Sequence, residues 1–231
     1  MGNPARRVPR CSLHYSSSCF IRANFSIGRR WGDTGIAEFV DELELGFGWL
    51  SPERPRLRMA SHALLADGGV WLIDPAEADG VEERVRTLGE PAGVLQLLDR
   101  HTRACAEFAR RLGVPHHRVP FERVGPFQTI PIVRRRVWRE VAIWWPERRV
   151  LVCADALGTV PHYFALGGER LGVHPLLRLT PPRRLAGLEP EHVLCGHGAG
   201  VHEDATGALR DALAHSRGRA PRVLVEWWRA R

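Results

Sequence analysis

Residues 142–157 read AIWWPERRVLVCADAL. The apolar runs Val137–Trp145 and Val150–Cys153 flank Pro146-Glu147-Arg148, a pattern that predicts a β-hairpin. Asp155 stands just past the end of its second strand. An earlier stretch, ALLADGGVWLIDP at 63–75, predicts another hairpin. Ser61–Ala66 and Val70–Asp74 are apolar runs around Asp67-Gly68-Gly69, and Asp-Gly between such runs is a strong turn signal.

Between and beyond the hairpins the pattern alternates. Leu43–Leu50 reads as a short strand. Ala78–Leu88 reads as a helix, with acids early and Arg late, closed by Gly89. Val94–Leu98 reads as a strand. Thr102–Leu112 reads as an amphipathic helix, because Cys105, Phe108, Ala109 and Leu112 recur at spacings of three and four. Gly113 and Pro115 end it, and Val114–Val119 suits another strand. Val193–Cys195 is a further buried strand, followed by Gly196-His197-Gly198, and Glu203–Ser216 reads as the last long helix. Arg222–Trp228 suits a short tail packed on the body, with Trp227-Trp228 covering a core edge. Trp138, Trp144 and Trp145 suit sheet packing. Two strand-rich blocks with helices predict two sheets packed together with helices outside.

Composition narrows the class. The chain has 231 residues, 44% of them hydrophobic, enough for a full core. No apolar run approaches the roughly 18 residues of a membrane span. All 33 basic residues are Arg, and the net charge is +7. Acids are interspersed among them from Asp33 onward, and Arg134–Arg135–Arg136 is the single triple. Scattered charge argues against a nucleic-acid partner, which would face clustered cations interleaved with aromatics. The five cysteines form no CxxC pair, and Cys153 and Cys195 sit in apolar runs, which fits a reducing cytoplasm. Residues 1–32 hold no acid and are rich in Arg and Ser. Residues 1–40 therefore read as an extension or a start assigned too far upstream, with one domain over 41–231.

Four stretches, in order, resemble the metallo-β-lactamase superfamily: 63–75, VLQLLDRHTRACAEFARRLGVP at 94–115, 142–157, and HVLCGHG at 192–198. The resemblance implies an α/β fold, an αββα sandwich with its active site at one edge of two mixed sheets. In active relatives one or two metal ions, usually zinc, activate water for hydrolysis, which takes at least three protein ligands and an open position. The family's histidine–x–histidine–x–aspartate–histidine loop corresponds here to Asp99-Arg100-His101-Thr102-Arg103-Ala104. In one register Asp99 replaces the first histidine, His101 keeps the second, Arg103 stands for the aspartate and Ala104 for the last histidine. In the other, His101 is the last histidine and Arg100 takes the aspartate position. Either way one histidine survives and a permanent cation stands where a metal's carboxylate belongs. Such an Arg suits an anionic ligand or a salt bridge to Asp155 or Asp99. The family's middle histidine has no counterpart in Ile132–Val137. Asp155 matches the metal-bridging aspartate and His197 the late histidine.

The candidate pocket is thus Asp99, Arg100, His101, Arg103, Asp155 and His197, with His101, Asp155 and His197 as the ligands of a single zinc or iron site. The favoured expectation is a divergent family member without the usual dinuclear site, binding a small anionic ligand through Arg100, Arg103 and Arg134–Arg136. Its alternatives are a mononuclear metal-dependent hydrolase of a thioester, ester or lactone, and a non-catalytic interaction module. Among the other histidines, His116-His117 suit a strand start. His162 and His174 lie in a Pro- and Gly-rich segment, 156–190, which in this topology would overhang the pocket, with structural roles. Ser61-His62 lacks the glycine-x-serine-x-glycine elbow of a serine hydrolase.

Overall fold

A computed structural model describes residues 35–52, 56–101 and 103–229. The first sheet runs in the order β1 (Glu38–Leu43), β2 (Gly46–Leu50), β3 (Ala60–Ala66), β4 (Gly69–Ile73), β5 (Pro91–Gln96), β6 (His116–Arg118). Its first four strands form an antiparallel meander. Two helical crossovers, α1 (Val81–Leu88) and α2 (Cys105–Leu112), make β4, β5 and β6 parallel. The second sheet is built from β7 (Gln128–Arg135), β8 (Trp138–Trp145), β9 (Val150–Cys153) and β12 (His192–Cys195), in the order β12-β9-β8-β7. There β7, β8 and β9 are antiparallel and β9 and β12 parallel. A small ribbon, β10 (Leu157–Gly158) with β11 (Gly172–Val173), belongs to the 156–190 segment.

Period-two alternation sorts the side chains into two cores. On β3, β4 and β5 the residues Leu64, Ile73 and Leu95 face the second sheet and meet Val141, Ile143, Leu151 and Leu194. Their neighbours Ala63, Val70, Leu72 and Val94 face the other way and pack on Val81 and Val85 of α1 and Cys105 and Phe108 of α2. Central strands buried on both faces read as near-continuous apolar runs, which is why they are legible in sequence. Helix α3 (Ala205–Arg219) lays Ala208, Leu209 and Ala212 against the second sheet's side of the core and packs on β11 and β12. The layers are helix, sheet, sheet, helix, as expected.

Several expectations need adjustment. Leu43–Leu50 is not one strand: β1 and β2 turn at Glu44-Leu45. The expected boundary at 40/41 falls inside β1. Residues 132–137, matched to a loop, belong mostly to β7 and its turn. Pro131 disguises that strand; it sits at a register shift, where a residue without an N–H is tolerated. The predicted tail is α4 (Arg222–Arg229), and the side chains of Trp227-Trp228 lie outside the described residues, as do residues 1–34 with Cys11 and Cys19. Cys105, Cys153 and Cys195 are buried free thiols. Among the described residues no helix is long and apolar enough to cross a membrane.

Topology also assembles an edge. Parallel neighbours end on the same side, so the residues following β4, β5, β9 and β12 converge. Cys153 is paired with Cys195, which sets Asp155 and His197, each two residues further on, side by side. The two sheets are joined there by the bridges Met59–His197 and Leu98–Glu140.

Candidate metal centre

Asp74 opens the site. It follows β4 in the left-handed region (φ 44°), which turns its carboxylate inward. Its Oδ1 accepts the Leu97 N–H at 3.1 Å, and its Oδ2 lies 3.1 Å from His101 Nδ1. Burial alone would raise the Asp74 pKa, but the charge and hydrogen bond of His101, the Arg103 guanidinium and the Leu97 N–H together hold it below the usual carboxylate range. An ionised carboxylate only accepts, so Nδ1 of His101 carries the proton.

The other ring is fixed in the same sense. His197 Nδ1 is 2.8 Å from the Leu57 carbonyl oxygen, which also only accepts. Both imidazoles thereby turn Nε2 to one atom, Asp155 Oδ1, at 2.9 Å for His101 and 3.1 Å for His197. Burial raises the Asp155 pKa, but the two histidine contacts outweigh it and hold the acid well below its ordinary value. For His101, burial and Arg103 push the pKa down, while Asp74 and Asp155 more than reverse them, so the net direction is up.

This geometry poses a chemical question. With Nδ1–H committed, a neutral ring presents a lone pair from Nε2, and two such lone pairs cannot favourably face a carboxylate oxygen. The contacts become attractive only with a proton on each Nε2 or with a cation among the three atoms. The three ligand atoms lie within 4.8 Å of one another. Ligands about 2.0–2.1 Å from a tetrahedral zinc stand roughly 3.4 Å apart, so little movement separates this arrangement from a coordinating one. The donor set fits a metal ion.

The sequence-derived residues divide. His101, Asp155, His197, Arg100 and Arg103 all line one cleft of about 570 Å³. Asp99 does not: its carboxylate accepts the Arg139 backbone N–H at 3.0 Å and faces the Arg139 guanidinium at 3.3 Å. Arg134–Arg136 are also absent from the cleft lining. The two arginines that could replace the family's aspartate go different ways. Arg103 points inward and donates to the carbonyls of Ala60, Asp74 (3.1 Å) and Gly196 (2.9 Å), tying the first sheet to the second. Arg100 stays exposed, stacks 4.3 Å over Trp138 and reaches Asp155 Oδ2 at 3.5 Å.

The 156–190 segment supplies Tyr163, Phe164, His174 and Leu176 to the cleft wall. His162 instead pairs with Glu226 at 2.6 Å. Sequence reasoning missed Asp74 as the partner of His101, and treated His174 as structural. A carboxylate behind a metal-ligating histidine is a common arrangement, and the leucine-isoleucine-aspartate run was its signal.

No family model matches the sequence, and no curated protein matches it. Solved structures do. DIM-1 metallo-β-lactamase superposes with a TM-score of 0.51 at 12% identity, covering 80% of this chain and 97% of that one. TMB-1 gives 0.50 at 12% identity with the same coverage. TTHA1623 in a di-iron-bound form gives 0.50 at 20% identity, covering 71% and 96%. The chain has the metallo-β-lactamase fold. Within that fold, the edge where β4, β5, β9 and β12 end carries this chain's one cluster of metal-capable side chains among the described residues.

Proposed function

We propose that the chain is a metal-dependent hydrolase that works with a single zinc or iron ion and cleaves an ester, thioester or lactone. One observation carries the reading: two imidazoles with their Nδ1 protons already committed converge through Nε2 on Asp155 Oδ1. That arrangement calls for positive charge between the rings, which two ring protons or one metal ion can supply; the metal does so without two adjoining imidazolium ions. A metal ion with three protein ligands and an open position supplies a water nucleophile activated near neutral pH.

The protein's own groups would do the rest. Asp74 and the Leu57 carbonyl keep the two rings oriented. Asp155 Oδ2, opposite the shared Oδ1, would accept a hydrogen bond from the attacking water and orient it. Its neighbour Arg100 can move from that carboxylate to a developing oxyanion at little cost, because the guanidinium is exposed and held over Trp138. Burial pushes the His174 imidazole down to about 4, so it is neutral at pH 7. Its Nδ1 accepts the Leu176 N–H at 3.2 Å, which leaves the ring proton on Nε2 as a donor. Phe164 stacks on His197 at 5.4 Å and screens the ligand from water.

The non-catalytic anion-binding reading is less well supported. It needs paired cations in the cleft, and Arg103 is taken up by main-chain carbonyls. Metal analysis of untagged protein prepared without chelator tests the choice. One equivalent of zinc or iron is expected, with hydrolysis of a nitrophenyl ester that is lost on chelation and restored by the metal. Protein that takes up neither metal at neutral pH, or whose esterase activity survives both chelation and Asp155→Asn, sinks the proposal.

A further inference from the structure

The arginines absent from the cleft gather elsewhere. In the β7–β8 hairpin Arg134 lies directly across from Arg139, and Arg135 across from Trp138, with Arg136 and Val137 as the turn. Like charges placed opposite each other in an antiparallel pair repel. Asp99 offsets Arg139. Among the described residues no carboxylate pairs with Arg134, Arg135 or Arg136, so the hairpin tip carries three uncompensated cations. These four arginines line a depression of about 420 Å³ whose remaining wall is Phe121. Phe121 is 41% exposed, and the Arg134 guanidinium sits 4.5 Å from its ring centroid.

Phe121 also lines a second depression, of about 600 Å³, with Trp71, His117, Pro120 and Arg123. Trp71 and His117 present tilted rings with centroids 6.0 Å apart. The two hollows meet at Phe121. One end is cationic, the other largely aromatic and apolar, with Glu122 as the one acid, lining the aromatic end. Guanidinium forks match phosphate oxygens, and flat rings take a base by stacking.

We propose that this surface binds a nucleotide, its phosphates on Arg134, Arg135 and Arg136 and its base against Phe121 toward Trp71 and His117. The same chemistry is offered by a free nucleotide and by a single-stranded nucleic acid. From sequence the arginine triple is expected as an anion contact, and the scattered charge argues against a nucleic-acid partner; what the sequence does not show is that β7 and β8 gather the triple, Arg139 and Phe121 on one surface. The site lies outside the cleft lining and does not depend on the metal.

The test uses full-length protein and three probes: methylanthraniloyl-ATP, a fluorescein-labelled single-stranded RNA, and inorganic triphosphate as competitor. Saturable binding of the nucleotide or the RNA is expected, and whichever binds more tightly identifies the source. The variant R134S/R135S/R136S should weaken it at least about tenfold and make the log–log salt dependence for RNA shallower by about two, each phosphate contact contributing roughly 0.7. Phe121→Ala should weaken nucleotide and RNA while leaving competition by triphosphate unchanged. Circular dichroism and metal content of both variants should match the parent. Binding of neither labelled probe, or equal binding by the arginine-free variant, overturns the proposal; an unaffected Phe121→Ala overturns the base contact.

Discussion

Two clusters of histidine and aspartate lie close together in this fold and solve the same problem differently. In the cleft, His101 and His197 turn their second nitrogens on one oxygen of Asp155. Behind it, around β1 and β3, Asp41 Oδ1 accepts the Gly200 N–H at 2.7 Å and lies 2.9 Å from His202 Nε2. His202 Nδ1 is 3.1 Å from His192 Nδ1, and His62 Nε2 is 3.0 Å from the Cys195 carbonyl. Every one of these contacts is satisfied by neutral rings: Nε2–H on His62 and His202, and Nδ1–H on His192. Burial, the largest influence on His62, outweighs Asp41 and lowers its pKa, in keeping with a neutral ring. The inner cluster is not fully satisfied either, since His62 Nδ1 then turns a lone pair to Asp41 Oδ2 at 3.7 Å and neither atom has a hydrogen-bond partner. What sets the cleft apart is that two imidazole nitrogens close on a single carboxylate oxygen at 2.9 and 3.1 Å. Composition alone does not separate them; the number of rings turned on one oxygen does.

The largest expected effect would break this contrast outright. Asp155→Ala should lower zinc affinity by more than about a hundredfold, since it removes a ligand whose mere outer partners are worth 10–100-fold. Asp41→Ala should leave the metal stoichiometry unchanged. It should instead destabilise the fold by about 3 kcal/mol, because it leaves the Gly200 N–H and the His202 Nε2–H without their acceptor. Zinc titration and thermal melts of both variants check the pair; equal metal loss would erase the distinction. Next in size is Asp74→Asn. Its amide can present N–H to His101 and favour the other tautomer, so metal affinity should fall about 10–100-fold with the ligands intact. An unchanged affinity would show that Asp74 does not set the ring.

Arg103→Met sharpens the other side of the comparison. The guanidinium ties Ala60 and Asp74 to Gly196 at the edge where the sheets meet. Loss of its charged hydrogen bonds should cost about 2–3 kcal/mol in denaturant melts. Lost metal with unaltered stability would instead make Arg103 part of the site.

The sequence made the frame legible where strands are apolar on both faces: ALLADGGVWLIDP, AIWWPERRVLVCADAL and HVLC mark the strands that end at the site. It also picked His101, Asp155 and His197, through the resemblance to the metallo-β-lactamase superfamily, as its loop histidine, bridging aspartate and late histidine. It did not separate β1 from β2, whose turn at Glu44-Leu45 lacks Gly and Pro, and it lost β7 to Pro131. Asp99 was drawn in by its place beside His101, yet backbone pairing with Arg139 turns it away. The inner cluster was out of reach, since Asp41, His62 and His202 are distant in sequence and none sits in a motif. The phase of Arg100 and Arg103 could not be read either, because it depends on where α2 begins.

The smallest expected effect concerns charge balance around the cleft. Glu140, on β8, is fully buried, with Trp138 Nε1–H at 2.9 Å and the Ala156 N–H at 2.7 Å. Burial first, and the charge of Asp155 second, push its pKa up to about 8 despite those donors. Between an unfolded value near 4.5 and about 8, the folded chain holds a proton that the unfolded chain has lost. Its contribution to stability is therefore fully present below the lower value and declines as pH rises through the window. Glu140→Gln removes this titration. The amide also faces two N–H donors, but that mismatch is a constant offset, so the informative quantity is the change with pH. In chelated protein the stability of the variant relative to the parent should rise by about 1–2 kcal/mol between pH 5 and pH 8, a fraction of the roughly 1.4 kcal/mol per unit that an unrelaxed site would give. Chemical denaturation at the two pH values measures it. A flat difference would mean that Glu140 is ionised throughout, which would add another negative charge to the cleft and strengthen its demand for a cation beyond that of the inner cluster.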